Sequence, residues 1–65
     1  MDIGQSVIVN GHRDLFMDFE AREFIGELCV VTGFTKGGLI RVELKSDPSK
    51  TISLPKSNLD ADIQP

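Results

Sequence analysis

Residues 39–54 carry the clearest pattern in the chain. From Ile40 to Lys45 apolar and charged positions alternate, with Ile40, Val42 and Leu44 on one side and Arg41, Glu43 and Lys45 on the other. A period of two is what a strand with one buried and one solvated face requires. Lys50–Leu54 repeats the pattern, with Ile52 and Leu54 inward. Ahead of both lies Glu27–Phe34, apolar and β-branched, whose Gly33 predicts a bulge or kink. The connections are Thr35-Lys36-Gly37-Gly38, where glycine supplies positive φ, and Ser46-Asp47-Pro48-Ser49. Three strands joined this tightly can only form an antiparallel meander. A fourth strand is expected at Gln5–Val9, bounded by Gly4 and the Asn10-Gly11 turn. Pro55, which has no N–H to donate, ends the Lys50–Leu54 strand. Leu59 and Ile63 then offer apolar positions for a short last strand that seals a small barrel. The expected core is Val7, Val9, Val30, Ile40, Val42, Leu44, Ile52 and Leu54, joined by Cys29, Phe24 and Phe34.

His12–Ile25 fits two readings. As a helix it has Asp14 as N-cap, Gly26 just past its end, and the pairs Leu15/Phe19 and Ala21/Ile25 four apart. But Leu15, Phe16, Met17 and Phe19 are too dense for a narrow helical stripe, which favours a long first loop folded over the barrel. Either way, neighbouring residues 15–17 cannot all face one core. The segment is a lid over the barrel end, a partner contact or a disordered stretch. Large apolar residues rimmed by charge mark an interaction surface, so Leu15, Phe16, Met17, Asp18, Phe19 and Glu20 are the candidate partner-binding residues.

Size and charge narrow the picture. A chain of 65 residues has room for one domain, expected over residues 1–65, and buries only about 60% of its unfolded surface. One cysteine allows no internal disulfide and fits a reducing compartment. The first residues show no secretory signal and no apolar run approaches the ~20 residues of a membrane span, so a cytoplasmic location is expected. The net charge is −3. Residues 1–35 set Asp2, Asp14, Asp18, Glu20, Glu23 and Glu27 against Arg13 and Arg22. Residues 36–65 set Lys36, Arg41, Lys45, Lys50 and Lys56 against Glu43, Asp47, Asp60 and Asp62. The acidic balance repels phosphate backbones at long range, while those five cations remain a candidate nucleic-acid-binding set, Arg41 and Lys45 sharing a strand face.

Catalytic signatures are missing. His12-Arg13-Asp14-Leu15 matches the start of a kinase catalytic loop, but Phe19 stands where that motif needs asparagine. Lys36-Gly37-Gly38 lacks the spacing of a phosphate loop. His12 sits beside a turn and is expected to be exposed. Cys29, among Leu28, Val30 and Val31, reads as a small core hydrophobe. No enzyme activity, cofactor or metal is expected.

The order of strand, long acidic loop, meander, Pro-X-Ser-Asn-Leu corner and short strand resembles the SH3-like barrel. Its most specific match is Leu54-Pro55-Lys56-Ser57-Asn58-Leu59, similar to the proline-led 3₁₀ turn before the last SH3 strand, and it predicts a 3₁₀ turn over Lys56-Ser57-Asn58. Phe24-Ile25-Gly26-Glu27-Leu28-Cys29-Val30-Val31 is similar to the KOW motif of ribosomal and transcription-elongation proteins, with Cys29 where that motif has its second glycine. The resemblance implies an all-β, SH3-like small barrel of about five antiparallel strands. With no Tyr and no Trp, the chain lacks the rings of a polyproline groove or a methyl-cation cage. The expected function is a small non-enzymatic binding module, an accessory or regulatory subunit that docks a protein partner through Leu15–Phe24. A nucleic-acid-associated KOW-type module is the alternative, and an obligate oligomer is a third possibility, because barrel edges can pair between chains.

Overall fold

Strands form where the alternation places them. The computed structural model describes residues 1–62, apart from the side chain of Phe16. Its strands are β1 (Ser6–Val9), β2 (Leu28–Phe34), β3 (Ile40–Leu44), β4 (Thr51–Leu54) and β5 (Leu59–Ala61). They make one antiparallel sheet in the order β4-β3-β2-β1-β5. The remaining elements are 3₁₀ segments: η1 (His12–Met17), η2 (Arg22–Phe24) and η3 (Lys56–Asn58). No α-helix occurs among the described residues, so the loop reading of His12–Ile25 is the correct one, and η3 spans the three residues expected of it. Ile63, expected in the last strand, lies outside the described residues.

The register explains the core. Val7, Cys29 and Leu44 form one cross-strand row, and Val31, Val42 and Ile52 form the next. Val7, Val9, Ile40, Val42, Leu44 and Leu54 are buried, with Cys29, Val31, Ala21, Phe24 and Leu59. Ile52 is half-buried against them. Val30 was expected inward, but it is only half-buried. The alternation through Cys29 and Val31 turns Val30 to the opposite face, because adjacent strand residues cannot share one. Gly33 marks the expected bulge. Val31 pairs with Val42, but Gly33 pairs with Arg41, so Thr32 is an extra residue on β2.

Phe34 corrects a second expectation. It pairs with buried Ile40 and so shares the inward face, yet it is 53% exposed. β1 pairs with β2 only over Leu28–Val30, and the chain before it adds only the contacts of Gly4 and Gln5 with Val31. The far end of β2 therefore has a strand on one side only. The sheet is also not closed, as a barrel would require. No ladder joins β4 to β5, because Pro55 and η3 turn the chain between them and β5 pairs with β1.

Candidate functional site

The candidate surface is the connection between β1 and β2, and its placement begins with two asparagines. The Asn10 Oδ1 accepts the His12 N–H at 3.0 Å, which closes a local turn. The Asn10 side-chain amide donates to the Ser57 carbonyl and to the Asp60 carboxylate, each at 3.1 Å. Asn58 is 2% exposed and donates to the His12 carbonyl at 2.6 Å, with longer contacts of 3.5 Å to the Asn10 carbonyl and Oδ1. The first turn of the connection is thus tied to η3. The side chain of this corner residue thus bonds residues 46 and 48 positions away, rather than the nearby backbone that a turn asparagine commonly caps. Sequence spacing gives no signal of that pairing.

Beyond this anchor the backbone is strained. Arg13 and Asp14 have φ of 58° and 57°, the left-handed region that non-glycine residues rarely enter. Asp14 therefore caps no helix; it lies inside the kink of η1. Asp18 makes the next turn. Its Oδ1 accepts the N–H of Glu20 at 2.9 Å and of Ala21 at 3.3 Å, and its carbonyl accepts the Arg22 N–H at 3.0 Å. Ala21 and Phe24 then enter the core, and Leu15 packs half-buried against it. Glu23 reaches Lys50 at 3.2 Å, tying the connection to the start of β4. Gly26, at φ 80°, donates to the Val9 carbonyl at 2.7 Å and brings the chain into β2.

Pinned at Asn58, Leu15, Ala21 and Phe24, the connection pushes its middle outward. Met17 is 75% and Phe19 85% exposed. The Arg22 guanidinium stands 5.5 Å from the centre of the Phe19 ring, a cation–π distance. Glu20 and Glu23 border a shallow open cleft of about 340 Å³ that is also lined by Phe24, Ser49, Lys50 and Thr51. Of the candidate partner-binding residues, Met17, Phe19 and Glu20 are exposed. Leu15 is half-buried in the core packing, and the carboxylate of Asp18, although exposed, is occupied with backbone N–H groups. Phe16 keeps its place in η1, and its side chain lies outside the described residues.

The cations of the nucleic-acid alternative are dispersed. Lys36 sits in the β2–β3 turn, and Lys45 and Lys50 sit at the opposite end of β3. Arg41 lies mid-sheet on the outward face, two residues from Glu43, and Lys56 is in η3. Lys50 is paired with Glu23. Arg41 is exposed on the outward side of β3, and Lys45, also exposed, lies just past the end of that strand. Among the described residues no cluster of three His, Cys, Asp or Glu side chains could hold a metal ion, and no helix is long and apolar enough to cross a membrane. His12 is exposed, as expected. Cys29 is buried; burial, and then the nearby Glu27 charge, pushes its thiol up to about 11.

No family model matches this chain, and neither a curated protein nor a solved structure matches it.

Proposed function

We propose that the chain is a non-enzymatic binding module that docks a protein partner through the connection between β1 and β2. One observation carries this reading. Met17 and Phe19, two large apolar side chains two residues apart, stand 75% and 85% exposed on a segment whose two ends are held by the core. Exposed apolar groups on a fixed frame lose little entropy when a partner covers them. The segment from Arg13 to Glu27 carries five carboxylates against Arg13 and Arg22, a net acidic balance, so the fitting partner presents an apolar pocket with a basic rim.

We read the open five-stranded sheet as the SH3-like type. The strand order, the long first connection and the 3₁₀ turn before β5 support that reading. A KOW-type, nucleic-acid-associated module is the second reading, supported by the exposed cations Arg41 on β3 and Lys45 just past its end.

Affinity capture from source lysate, with and without nuclease, separates the two. A protein captured by the native chain, retained after nuclease and lost on Met17→Ser/Phe19→Ser with an unchanged far-UV spectrum, bears out the first reading. Capture that is lost on nuclease treatment or on Arg41→Glu/Lys45→Glu, weakens steeply with salt and ignores the Met17 and Phe19 changes overturns it in favour of the second.

A further inference from the structure

An open sheet leaves two strands with one neighbour each, and β4 is the less guarded. The Leu44 N–H donates to the Lys50 carbonyl at 3.0 Å, which fixes the parity of the β3–β4 ladder. In an antiparallel pair, hydrogen-bonded and non-hydrogen-bonded positions alternate. Lys50, Ile52 and Leu54 therefore face Leu44, Val42 and Ile40 with their backbone polar groups. Thr51 and Ser53, opposite Glu43 and Arg41, turn both N–H and C=O away from β3. Among the described residues no hydrogen-bond partner meets those four groups.

We propose that β4 pairs antiparallel with β4 of a second copy of this chain, about a twofold axis through Ile52, joining two five-stranded sheets into one. In this register Thr51 of one copy lies opposite Ser53 of the other, and all four outward groups of each edge are used in four backbone hydrogen bonds. Neighbouring registers fail. A twofold at Ser53 sets Pro55, which has no N–H, opposite Thr51. A twofold at Thr51 needs Ser49 extended, and Ser49 is held in a turn by Asp47.

Four further features suit this edge to a second copy. Natural edges are protected by charge, proline or a bulge, and Thr51-Ile52-Ser53-Leu54 has none of these within it. The neighbouring Lys50, a natural guard, is drawn off the edge by Glu23 at 3.2 Å. Ile52, half-buried in one copy, meets its twin at a non-hydrogen-bonded position, where opposed side chains come closest. The outward rows then run from Glu43 and Thr51 of one copy into Ser53 and Arg41 of the other, so each row holds an acid and a base rather than two like charges. Four residues a side make an interface below the ~1,000 Å² of tight association. The dimer is therefore weak and in exchange with monomer.

Sedimentation velocity over a concentration series, together with amide hydrogen exchange, tests the proposal. The native chain is expected to move from monomer toward dimer as concentration rises, while the Thr51 and Ser53 amides gain protection. Ser53→Pro removes an outward N–H without touching the β3–β4 ladder and is expected to leave a monomer. If that variant does not fold by far-UV circular dichroism, Thr51→Lys decides, since it places a guard charge on an exposed edge position and weakens the dimer. Met17→Ser/Phe19→Ser is expected to dimerise as the native chain does. A native chain that stays monomeric at every concentration overturns the proposal, even where a foreign extended peptide pairs with β4. A dimer that survives folded Ser53→Pro or Thr51→Lys overturns it as well, and so does one abolished by the Met17 and Phe19 changes.

Discussion

Asn58→Ala tests whether the first connection is held by one buried side chain. The native amide donates to the His12 carbonyl at 2.6 Å from a position only 2% exposed. Removing it loses one hydrogen bond, a net of about 1 kcal/mol. It also leaves the His12 carbonyl short of a donor beside an alanine-sized gap, a further cost of ~1–3 kcal/mol if water does not reach it. His12 itself is exposed, so water partly compensates and the lower end applies. The expected loss is about 2 kcal/mol, against a total of ~3–10 kcal/mol for a chain of this size. Urea denaturation followed by far-UV circular dichroism reads it directly; tryptophan and tyrosine fluorescence are ruled out because the chain has neither residue. With a slope of ~1 kcal/mol/M for a small domain, the midpoint falls by about 2 M. Asn58→Asp keeps the shape but replaces the donor with a carboxylate facing the same carbonyl oxygens, so it is expected to be the worse variant. An alanine variant within about 0.5 kcal/mol of the native chain, or an aspartate variant as stable as the native one, would refute the reasoning.

Three further predictions follow from the same frame. Val42→Ala empties part of the fully buried centre of β3 and is expected to lower stability by about 2 kcal/mol in the same denaturation assay. Arg13→Gly relieves a left-handed residue at φ 58° and is expected to raise stability by ~0.5–1 kcal/mol in the same denaturation assay. Cys29 is expected to react with a thiol reagent only as fast as the chain opens. Its thiol is neutral in the fold up to about 11, against 9.0 as its ordinary value, so its contribution to stability is complete below pH 9 and is lost as pH rises through 11. Cys29→Ala should flatten that alkaline limb, and rapid labelling of the folded chain at pH 8 would contradict the burial.

Strand positions, turns and the 3₁₀ corner were legible in the sequence because each has a local cause. A period of two leaves Ile40, Val42 and Leu44 one face to bury, glycine supplies the positive φ at Gly38, and Pro55 ends a ladder wherever it stands. Tertiary structure decided matters that depend on residues far apart. Val30 and Cys29 are equally apolar in sequence, and only the pairing of Cys29 with Val7 and Leu44 says which faces inward. Phe34 reads as core, but its burial depends on how far β1 extends along β2. Asn58 reads as a turn residue, and its partner at His12 is 46 positions away. In the candidate surface, the cluster of apolar residues at 15–19 announced that some must face outward. Which ones do so was settled by the core contacts of Leu15, Ala21 and Phe24, which leave Met17 and Phe19 in solvent. A local rule acts through backbone geometry within a few residues, whereas burial and edge exposure are properties of neighbours that folding brings together.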